Sequence, residues 1–563
     1  MANLRINPGA LRDSVADSIF EARVLREAGI LEPMRPDKAL KIGTTFLRWG
    51  ASPATGVATA AIHHPHQIAI VDERGALSWE RLHQRSNALA NALASEFGIG
   101  PRDGVGIMCR NHRGFIEATL AAAKLGASAL YLNTMFAGPQ LAEVTKREGP
   151  KALIYDEEFD TLLGGVEDSV RRIKAWTEDP AAAGTTLEGL IAAGSQADLK
   201  PPAEKPKFVI LTSGTTGTPK GAQRSSPEGL FTIAALIDKI PFRSRETMMI
   251  AAPLFHSWGF FHFVMSLPTA STMVLRRRFD PEGTLQAVQE SRAQVLAAVP
   301  VMIQRILGLP AETLDRYDLS SLRITSLSGS ALPGELALAW MDRFGDTVYN
   351  LYGSTEVAYA TIATPEDLRA APGTAGKPPR GTRVRLYDEE GREVPQGQVG
   401  RIFVGNEMSF EGYTGGGGKE AIDGLLSSGD VGHFDSAGRL FIDGRDDEMI
   451  VSGGENVFPR EVEDLLADHP GVVEVAVIGV ADAEFGQRLK AFVVVEAGVK
   501  LTPEELGAHV KANLAAFKAP REVEFLPELP RNATGKVLKR ELKARHEEAA
   551  DEAPKAIGQE SGG

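Results

Sequence analysis

The chain lacks the features that define several classes of protein. Its 563 residues include one cysteine, Cys109, so a scaffold held by intramolecular disulfides is excluded, and a reducing cytosol fits this count. It carries 61 basic and 74 acidic residues, a formal charge of −13, which argues against nucleic-acid binding through a dominant basic surface. No internal repeat stands out, so a solenoid is not expected. The length allows three or four compact units.

Long apolar runs are also scarce. Residues 1–50 mix charged and apolar positions without the apolar core of an export signal, and they predict an amphipathic helix packed on the main body. The acidic polar face of this helix disfavours the alternative of a membrane-surface helix. Thr247 to Leu275 contains no Asp, Glu, Lys or Arg, but its prolines and histidines favour a buried pocket wall over a membrane span. We expect a cytoplasmic protein with at most peripheral contact at the inner membrane face.

Short β-rich runs alternate with helical patterns along most of the chain, which is typical of mainly parallel sheets flanked by helices. The runs are Val105–Met108, Ala152–Tyr155, Phe208–Leu211, Val295–Ala298 and Leu322–Leu327. After about residue 380, closely spaced turns predict a small β-rich subdomain. Beyond residue 447 the pattern reads helix, strand, strand, helix, and the last helix begins at Thr502-Pro503 with Glu505 in place for a capping box.

The sequence therefore predicts an α/β protein in several parts. We expect a helical N-terminal extension over residues 1–50 and a large domain over 51–446, whose β-rich subdomain covers about 380–446. A small α+β domain follows over 447–545. Residues 546–563 lack apolar periodicity and are expected to be a disordered tail.

A loop rich in glycine and hydroxyl groups follows the strand Phe208–Leu211. Its glycines permit close backbone approach, its amides suit an anion-binding nest, and its lysine adds a positive charge. Proline precedes this lysine where the common P-loop has glycine, so the loop is a phosphate-binding element of another kind. The residues are Thr212, Ser213, Gly214, Thr215, Thr216, Gly217, Thr218, Pro219 and Lys220.

Seven motifs in a fixed order resemble those of the acyl-adenylate-forming (AMP-binding) superfamily, which includes acyl-CoA synthetases, luciferases and peptide-synthetase adenylation domains. The resemblance covers roughly residues 50–545. The motifs are TSGTTGTPKG at 212–221, PLFHSWGF at 253–260, SGSALP at 328–333, YGSTE at 352–356, SGDVGHFD at 428–435, DGRDDEMIVSGGENVFPREVE at 443–463 and PRNATGKVLKREL at 530–542.

This resemblance implies an AMP-forming acid–thiol ligase. ATP would activate a carboxylic acid as acyl-AMP with release of pyrophosphate, and the thiol of coenzyme A would then displace AMP. The implied small molecules are ATP, Mg²⁺, coenzyme A and the acid. No nucleic-acid partner is expected, and a homodimer stays open.

The resemblance also implies roles for particular residues. Lys536 would reach between the acid and the α-phosphate, His256 would orient the carboxylate, and Glu356 would bind Mg²⁺ together with Thr212. Tyr352 would lie against the adenine, and Asp430 with Arg445 would hold the ribose. Besides the loop at 212–220, the full nucleotide set is Gly329, Ser330, Tyr352, Gly353, Ser354, Thr355, Asp430 and Arg445.

Three further positions match residues that act in the thiol step in this family. Asp447 falls at the hinge about which the small C-terminal domain would swing after adenylation. Gly453 and Gly454 would form the loop that meets the pantetheine arm.

Trp258, Phe260 and Leu351 are expected to line the acid pocket. Its apolar wall offers no fixed cation for a second carboxylate, so we expect an apolar monocarboxylic acid, with a medium- or long-chain fatty acid favoured by the resemblance. Aryl or sterol side-chain acids stay open, as does an acyl-AMP ligase that loads a carrier protein. A non-catalytic nucleotide-binding protein is a remote alternative, because the lysine, the glutamate and the loop are all present.

Overall fold

The structure is a computed structural model that describes residues 8–179, 184–212, 220–224, 229–408, 410–413, 418–448, 450–452, 455–482, 486–532 and 535–552. Within these ranges the chain forms four β-sheets with helices packed around them. One continuous apolar core joins the two largest sheets. This architecture confirms the predicted α/β class, with a large domain of mainly parallel sheets and a small C-terminal domain.

The described residues contain seventeen α-helices, labelled in chain order. They are α1 (Pro8–Glu27), α2 (Pro36–Trp49), α3 (Pro53–His63), α4 (Trp79–Phe97), α5 (Arg113–Leu125), α6 (Gly138–Glu148), α7 (Leu187–Ala193), α8 (Phe231–Lys239), α9 (Ser257–Ser266), α10 (Pro281–Ser291), α11 (Pro300–Leu307), α12 (Ala311–Leu314), α13 (Gly334–Phe344), α14 (Pro365–Ala370), α15 (Pro459–Ala467), α16 (Pro503–Asn513) and α17 (Lys539–Glu552).

The same ranges contain twenty-five strands. They are β1 (Ile68–Asp72), β2 (Gly75–Ser78), β3 (Gly104–Met108), β4 (Ser128–Tyr131), β5 (Ala152–Asp156), β6 (Arg171–Trp176), β7 (Phe208–Thr212), β8 (Lys220–Arg224), β9 (Thr247–Ile250), β10 (Thr272–Leu275), β11 (Val295–Ala298), β12 (Ile324–Leu327), β13 (Val348–Tyr352), β14 (Thr361–Ala363), β15 (Arg383–Tyr387), β16 (Gly400–Gly405), β17 (Phe410–Tyr413), β18 (Ala421–Ile422), β19 (Leu425–Phe434), β20 (Leu440–Arg445), β21 (Ile450–Ser452), β22 (Glu455–Val457), β23 (Val472–Asp482), β24 (Gly486–Val495) and β25 (Glu522–Phe525).

The two large sheets are mainly parallel. The first has the order β14-β13-β12-β11-β9-β10-β1-β2 and is antiparallel only at its edge strands β14 and β2. The second has the order β17-β8-β7-β4-β3-β5-β6, in which β8 is antiparallel to both of its neighbours, β7 and β17, and the other pairs are parallel. Strands β11 and β12 are buried along their whole length, as expected for parallel strands covered on both faces.

The β-rich region after residue 380 forms a separate antiparallel sheet, as predicted. Its order is β15-β16-β19-β18, and β20 also pairs with β19, on the side opposite β16. Strand β17 leaves this region and joins the second large sheet instead. The β19–β20 pair brings the motifs SGD and DGR side by side, which matters for the site described below.

The C-terminal region forms the fourth sheet, in the order β22-β21-β24-β23 with β25 beside β24. The predicted capping box at the start of α16 is confirmed: Thr502 and Glu505 cap each other's backbone amides. The predicted order of helix, strand, strand, helix was incomplete, because β21, β22, β25 and α17 are also present. The predicted boundaries at residues 50, 446 and 545 stay predictions.

The prediction of a disordered tail over 546–563 was wrong in its first part. Helix α17 continues to Glu552, and only residues from 553 onward lie outside the described chain. The helix is rich in Ala, Glu, Lys and Arg, which favour helix without an apolar stripe. Leu542 anchors it in the C-terminal core, and Arg545 makes a 2.7 Å bond to Glu524 on β25.

The N-terminal extension is helical, as expected. Phe20, Val24 and Leu25 on α1 are buried, and the ring of Phe20 lies 6.0 Å from that of Phe231 on α8. The predicted packing of this helix on the main body is therefore confirmed. The charge-free stretch Thr247–Leu275 supplies β9, α9 and β10, and residues between Ala252 and Ala270 line the main cavity, which confirms the predicted pocket wall for that part. Across the described ranges, no helix combines the length and the hydropathy that crossing a bilayer requires.

Candidate active site

A cavity of about 1150 Å³ is lined by both the large domain and the C-terminal region. It brings together residues that are scattered over nearly three hundred positions of the sequence. The predicted site residues that line it are His256, Trp258, Phe260, Gly329, Ser330, Leu351, Tyr352, Gly353, Ser354, Thr355, Glu356, Asp430, Arg445 and Lys536.

Some predicted site residues cannot be placed in this cavity. Ser213 to Pro219, together with Gly453 and Gly454, lie outside the described residues, and so do the side chains of Thr212, Lys220 and Asp447. The described backbone shows that Thr212 ends β7, that Lys220 begins β8, and that the two strands pair. Their predicted roles at the phosphates, the hinge and the thiol stay predictions.

The best-defined polar group in the cavity surrounds Asp430. The β19–β20 register sets Asp430 opposite Arg445, whose Nη1 lies 3.3 Å from Oδ1 of the carboxylate. The hydroxyl of Tyr352 donates a 2.6 Å hydrogen bond to Oδ2. Burial raises the pKa of Asp430, and the nearby Arg445, Tyr352 and Lys536 oppose that rise. A carboxylate held in this way accepts hydrogen bonds from a pair of vicinal hydroxyls such as those of ribose.

Tyr352 and its neighbours form the wall beside Asp430. Burial raises the pKa of Tyr352 well above its ordinary value, with a further contribution from Asp430, so the phenol is a donor at neutral pH. Gly353 must be glycine here, since a Cβ atom would overlap the carbonyl oxygen of Ala358. Two residues before Tyr352, Asn350 also lines the cavity, and its buried Oδ1 has no hydrogen-bond partner in the described part of the chain. Sequence reasoning missed Asn350, which is available to accept a bond from a ligand amino group.

Glu356 presents a carboxylate to the same cavity. Its Oε1 accepts a 2.8 Å bond from the hydroxyl of Tyr413, and its Oε2 accepts a 2.9 Å bond from Ser354. A carboxylate has further lone pairs beyond these two, and hard oxygen donors suit Mg²⁺. The residues present therefore fit the ion, which when bound supplies positive charge for the phosphates. Tyr413 was missed from sequence because only the crossing of β17 into the second sheet brings it here.

His256 stands at the N-cap of α9 and lines the cavity. Burial lowers the pKa of His256 to about 4, so the imidazole is neutral at pH 7. Its buried Nε2 has no hydrogen-bond partner among the residues that the structure describes. A neutral, unpartnered imidazole can donate a hydrogen bond to a carboxylate, but it does not supply a cation.

The structure distinguishes the two rings that were expected near the acid. The indole of Trp258 is fixed, because its N–H donates to the carbonyl oxygens of Ala298 and Ser326 and its ring stacks on Phe261 at 5.2 Å. Phe260 is only partly buried and packs against Tyr131 and Phe208. Trp258 is therefore held by hydrogen bonds, whereas Phe260 is held by ring contacts alone.

Lys536 reaches the cavity from a tight turn. Gly535 has φ +78°, and a Cβ atom there would overlap Cγ1 of Val301 on α11, so glycine allows the turn to approach the large domain. The Lys536 amide donates a 2.9 Å bond to Oδ1 of Asn532. Its ammonium makes no hydrogen bond or ion pair with a described residue, while its charge opposes the rise in the pKa of Asp430 that burial causes. The lysine therefore presents a positive charge to the cavity wall at Asp430 from an exposed side chain.

The apolar part of the cavity follows α9. Ten residues of helix span about 15 Å, from His256 at the start to Leu267 just after the end. Side chains on one face of this helix line the cavity, including Phe261 and Val264. At the far end the lining passes to α2 and α3, where it includes Ile42, Phe46, Thr59, Ala60, His63 and His64. No site residue was predicted from the N-terminal extension, so α2 was missed.

Comparison with known proteins agrees with this geometry. Residues 57–414 match the model of the AMP-binding enzyme family, and residues 461–536 match that of the AMP-binding enzyme C-terminal domain. A feruloyl-CoA synthase of an Amycolatopsis species is 34% identical over 85% of this chain and 96% of its own. A fatty acid–[acyl-carrier-protein] ligase, ScoC, of Streptomyces coeruleorubidus is 30% identical over 86% and 94%. The o-succinylbenzoate CoA synthetase of Bacillus subtilis, solved with its acyl-adenylate intermediate, is 26% identical with a TM-score of 0.75, over 87% and 97%.

The two-part α/β fold and its shared cavity define an adenylate-forming ligase. The chain belongs to the AMP-binding enzyme family. It is an enzyme of the acid–thiol ligase class, as the motifs predicted, and ATP, Mg²⁺ and coenzyme A are the small molecules of that class.

Proposed function

We propose that this enzyme is an acyl-CoA synthetase for an apolar monocarboxylic acid of the length of a medium- or long-chain fatty acid. The observation that carries the proposal is the channel along α9, about 15 Å long, lined mainly by apolar and aromatic side chains. A fixed cation on the wall would favour a second carboxylate, and α9 itself contains no charged residue. An extended apolar chain matches such a wall along its length.

The described residues suggest a division of labour in adenylation. The carboxylate of the acid would lie at His256, whose neutral imidazole donates a hydrogen bond without neutralising the nucleophile. Lys536 would bring its ammonium between this carboxylate and the α-phosphate, and so reduce the repulsion between two anions. Asp430 and Arg445 would hold the ribose, which fixes the phosphorus for attack.

For the second step we propose coenzyme A as the thiol. The first relative described above is named as a CoA synthase, which supports a free thiol as acceptor. The relative named as a carrier-protein ligase supports the competing assignment, in which the acyl group passes to a carrier protein. Formation of a thioester with free coenzyme A, in the absence of any carrier protein, decides between them.

A substrate screen tests the proposed acid. Purified enzyme with ATP and Mg²⁺ is given unbranched acids from acetate to icosanoate, together with aromatic acids, and pyrophosphate release is measured. We expect the highest kcat/KM among unbranched acids of medium or long chain. A preference for compact aromatic acids over every unbranched acid would contradict the proposal.

The variant Val264→Trp adds a structural test, because this position lines the channel midway along α9. The larger ring should shift the optimum towards shorter acids and leave the KM for ATP unchanged. Val399→Trp adds the same bulk at an exposed position and serves as the matched control. An unchanged optimum in Val264→Trp would show that the acid does not lie along α9.

One observation favours a second candidate, an acid with a polar group at the end remote from its carboxylate. His63 and His64 line the far end of the cavity, and neither imidazole makes a hydrogen bond with a described residue. Burial lowers the pKa of both, that of His64 to about 4, so they are neutral at pH 7. In the wild type, kcat/KM would be higher for a terminally hydroxylated acid than for the same acid without the hydroxyl. In His64→Phe the two acids would have equal kcat/KM.

A further inference from the structure

Large apolar side chains are exposed mainly at the N-terminus. In the part of the chain that the structure describes, eleven such side chains are exposed, and six of them are Val15, Ile19, Leu31, Leu40, Phe46 and Leu47. All six precede residue 57, where the match to the family model begins. The activity of the family therefore does not account for this concentration of exposed apolar surface.

Helix α2 has two apolar faces. Ile42 and Phe46 line the far end of the acid cavity. Leu40 and Leu47, seven residues apart and hence on one side of the helix, point outward and are 70% and 88% exposed. The helix buries none of its residues fully. Helix α2 therefore contributes to the cavity wall with one face and exposes apolar side chains on another.

The charge around these leucines is positive. Lys41 and Arg48 follow Leu40 and Leu47 directly, both are exposed, and neither pairs with an acidic side chain in the described ranges. Residues 38–49 contain no Asp or Glu, although the whole chain carries a formal charge of −13. A basic segment is complementary to an anionic surface, and two copies of this segment would repel each other across a symmetric dimer contact.

We propose that α2 docks on an anionic lipid bilayer, with Leu40 and Leu47 in the acyl region and Lys41 and Arg48 at the headgroups. Apolar side chains bordered by cations are typical of helices that lie in a membrane interface. Apolar acids dissolved in the bilayer then enter the cavity at the end lined by Ile42 and Phe46. This entry step rests on the proposed function, whereas the docking does not.

Vesicle sedimentation tests the docking on the full-length protein without any substrate. Wild type is mixed with phosphatidylcholine vesicles, with or without phosphatidylglycerol, and the bound fraction is measured. We expect binding only when phosphatidylglycerol is present. Leu40→Gln/Leu47→Gln should weaken the partition coefficient by roughly tenfold or more, since two leucines no longer insert. Lys41→Gln/Arg48→Gln should weaken it about tenfold at low salt.

Met135→Gln is the matched control, because Met135 is 61% exposed and lies outside the N-terminal extension. It should bind vesicles like wild type. The proposal is overturned by equal binding of Leu40→Gln/Leu47→Gln and wild type, by no binding of wild type, or by a concentration-dependent dimer that this double variant abolishes without lipid.

Entry from the bilayer has its own readout. With an acid presented in anionic vesicles, Leu40→Gln/Leu47→Gln should lose activity, while with a short acid in solution it should match wild type. Loss with both acids, or with neither, would overturn the entry step. If no acid is activated at all, the proposed function fails, and the sedimentation result still decides the docking.

Discussion

The hydrogen bond from Tyr352 to Asp430 gives a sharp test of the proposed nucleotide site. Tyr352→Phe removes a 2.6 Å bond to a buried carboxylate and leaves the ring in place. A hydrogen bond to a charged group contributes about 1.5–3 kcal/mol, which corresponds to roughly a 10- to 100-fold change. We therefore expect kcat/KM for ATP in pyrophosphate exchange to fall by about that factor, with little change in the KM for the acid.

The same variant should change the pH profile in a defined direction. Burial already raises the pKa of Asp430, and the phenol is one of the groups that oppose the rise. Without the phenol the pKa of Asp430 rises further, so the carboxylate is protonated at a higher pH. The acid limb of the pH profile of kcat/KM for ATP therefore shifts to higher pH.

Tyr317→Phe is the matched control, since Tyr317 donates a 2.8 Å bond to Glu282 at the surface, away from the cavity. It should leave both the ATP kinetics and the profile unchanged. If Tyr352→Phe keeps the kcat/KM for ATP of the wild type throughout the low-pH part of the profile, the assignment of Asp430 to the ribose is refuted.

Four further variants test other parts of the site. Lys536→Ala should reduce acyl-AMP formation by about 10²- to 10³-fold and spare thioester formation from supplied acyl-AMP, measured as separate half-reactions; equal loss of both would contradict its role. Gly535→Ala should lose adenylation in the same assay through overlap with Val301, and Val301→Ala should restore part of it. His256→Ala should raise the KM for the acid about tenfold or more, with no change between pH 6 and pH 8 because the pKa is about 4. Glu356→Gln should raise the Mg²⁺ concentration needed for half-maximal pyrophosphate exchange, and chelation of Mg²⁺ should abolish exchange in wild type; an unchanged requirement would exclude this carboxylate as a ligand.

The strands and the short motifs could be predicted from sequence because they depend on local patterns. Buried runs such as Val295–Ala298 are continuous in the chain, and β11 has these bounds in the structure. The capping box at Thr502 and Glu505 is likewise a feature of four consecutive residues. Such signals do not require knowledge of what packs against them.

The missed parts of the site depend on contacts between distant segments. Tyr413 reaches Glu356 only because β17 crosses from one sheet to another, and nothing near Tyr413 in sequence indicates this. Helix α2 lines the cavity with Ile42 and Phe46, and nothing in its own sequence indicates which distant segment these side chains contact. The end of helix α17, from residue 546 to Glu552, was taken as part of a disordered tail because it lacks apolar periodicity, whereas its strong helix formers continue the helix.

The placement of the charged groups suits the two successive reactions that the motifs predict for this cavity. Among the described residues, the bonds to the Asp430 carboxylate come from Tyr352 on β13 and Arg445 on β20, and none comes from Gly535 or Lys536. If the C-terminal region swings as the motifs predict, Lys536 would leave the cavity while the proposed ribose site, and with it the acyl-AMP, stays in place. Adenylation joins two anions, the carboxylate and the α-phosphate, and therefore needs an extra cation. In this structure Lys536 faces Asp430, which suits that first step. The thiol step displaces AMP and no longer needs it, so a lysine on a separate unit suits the order of the two reactions.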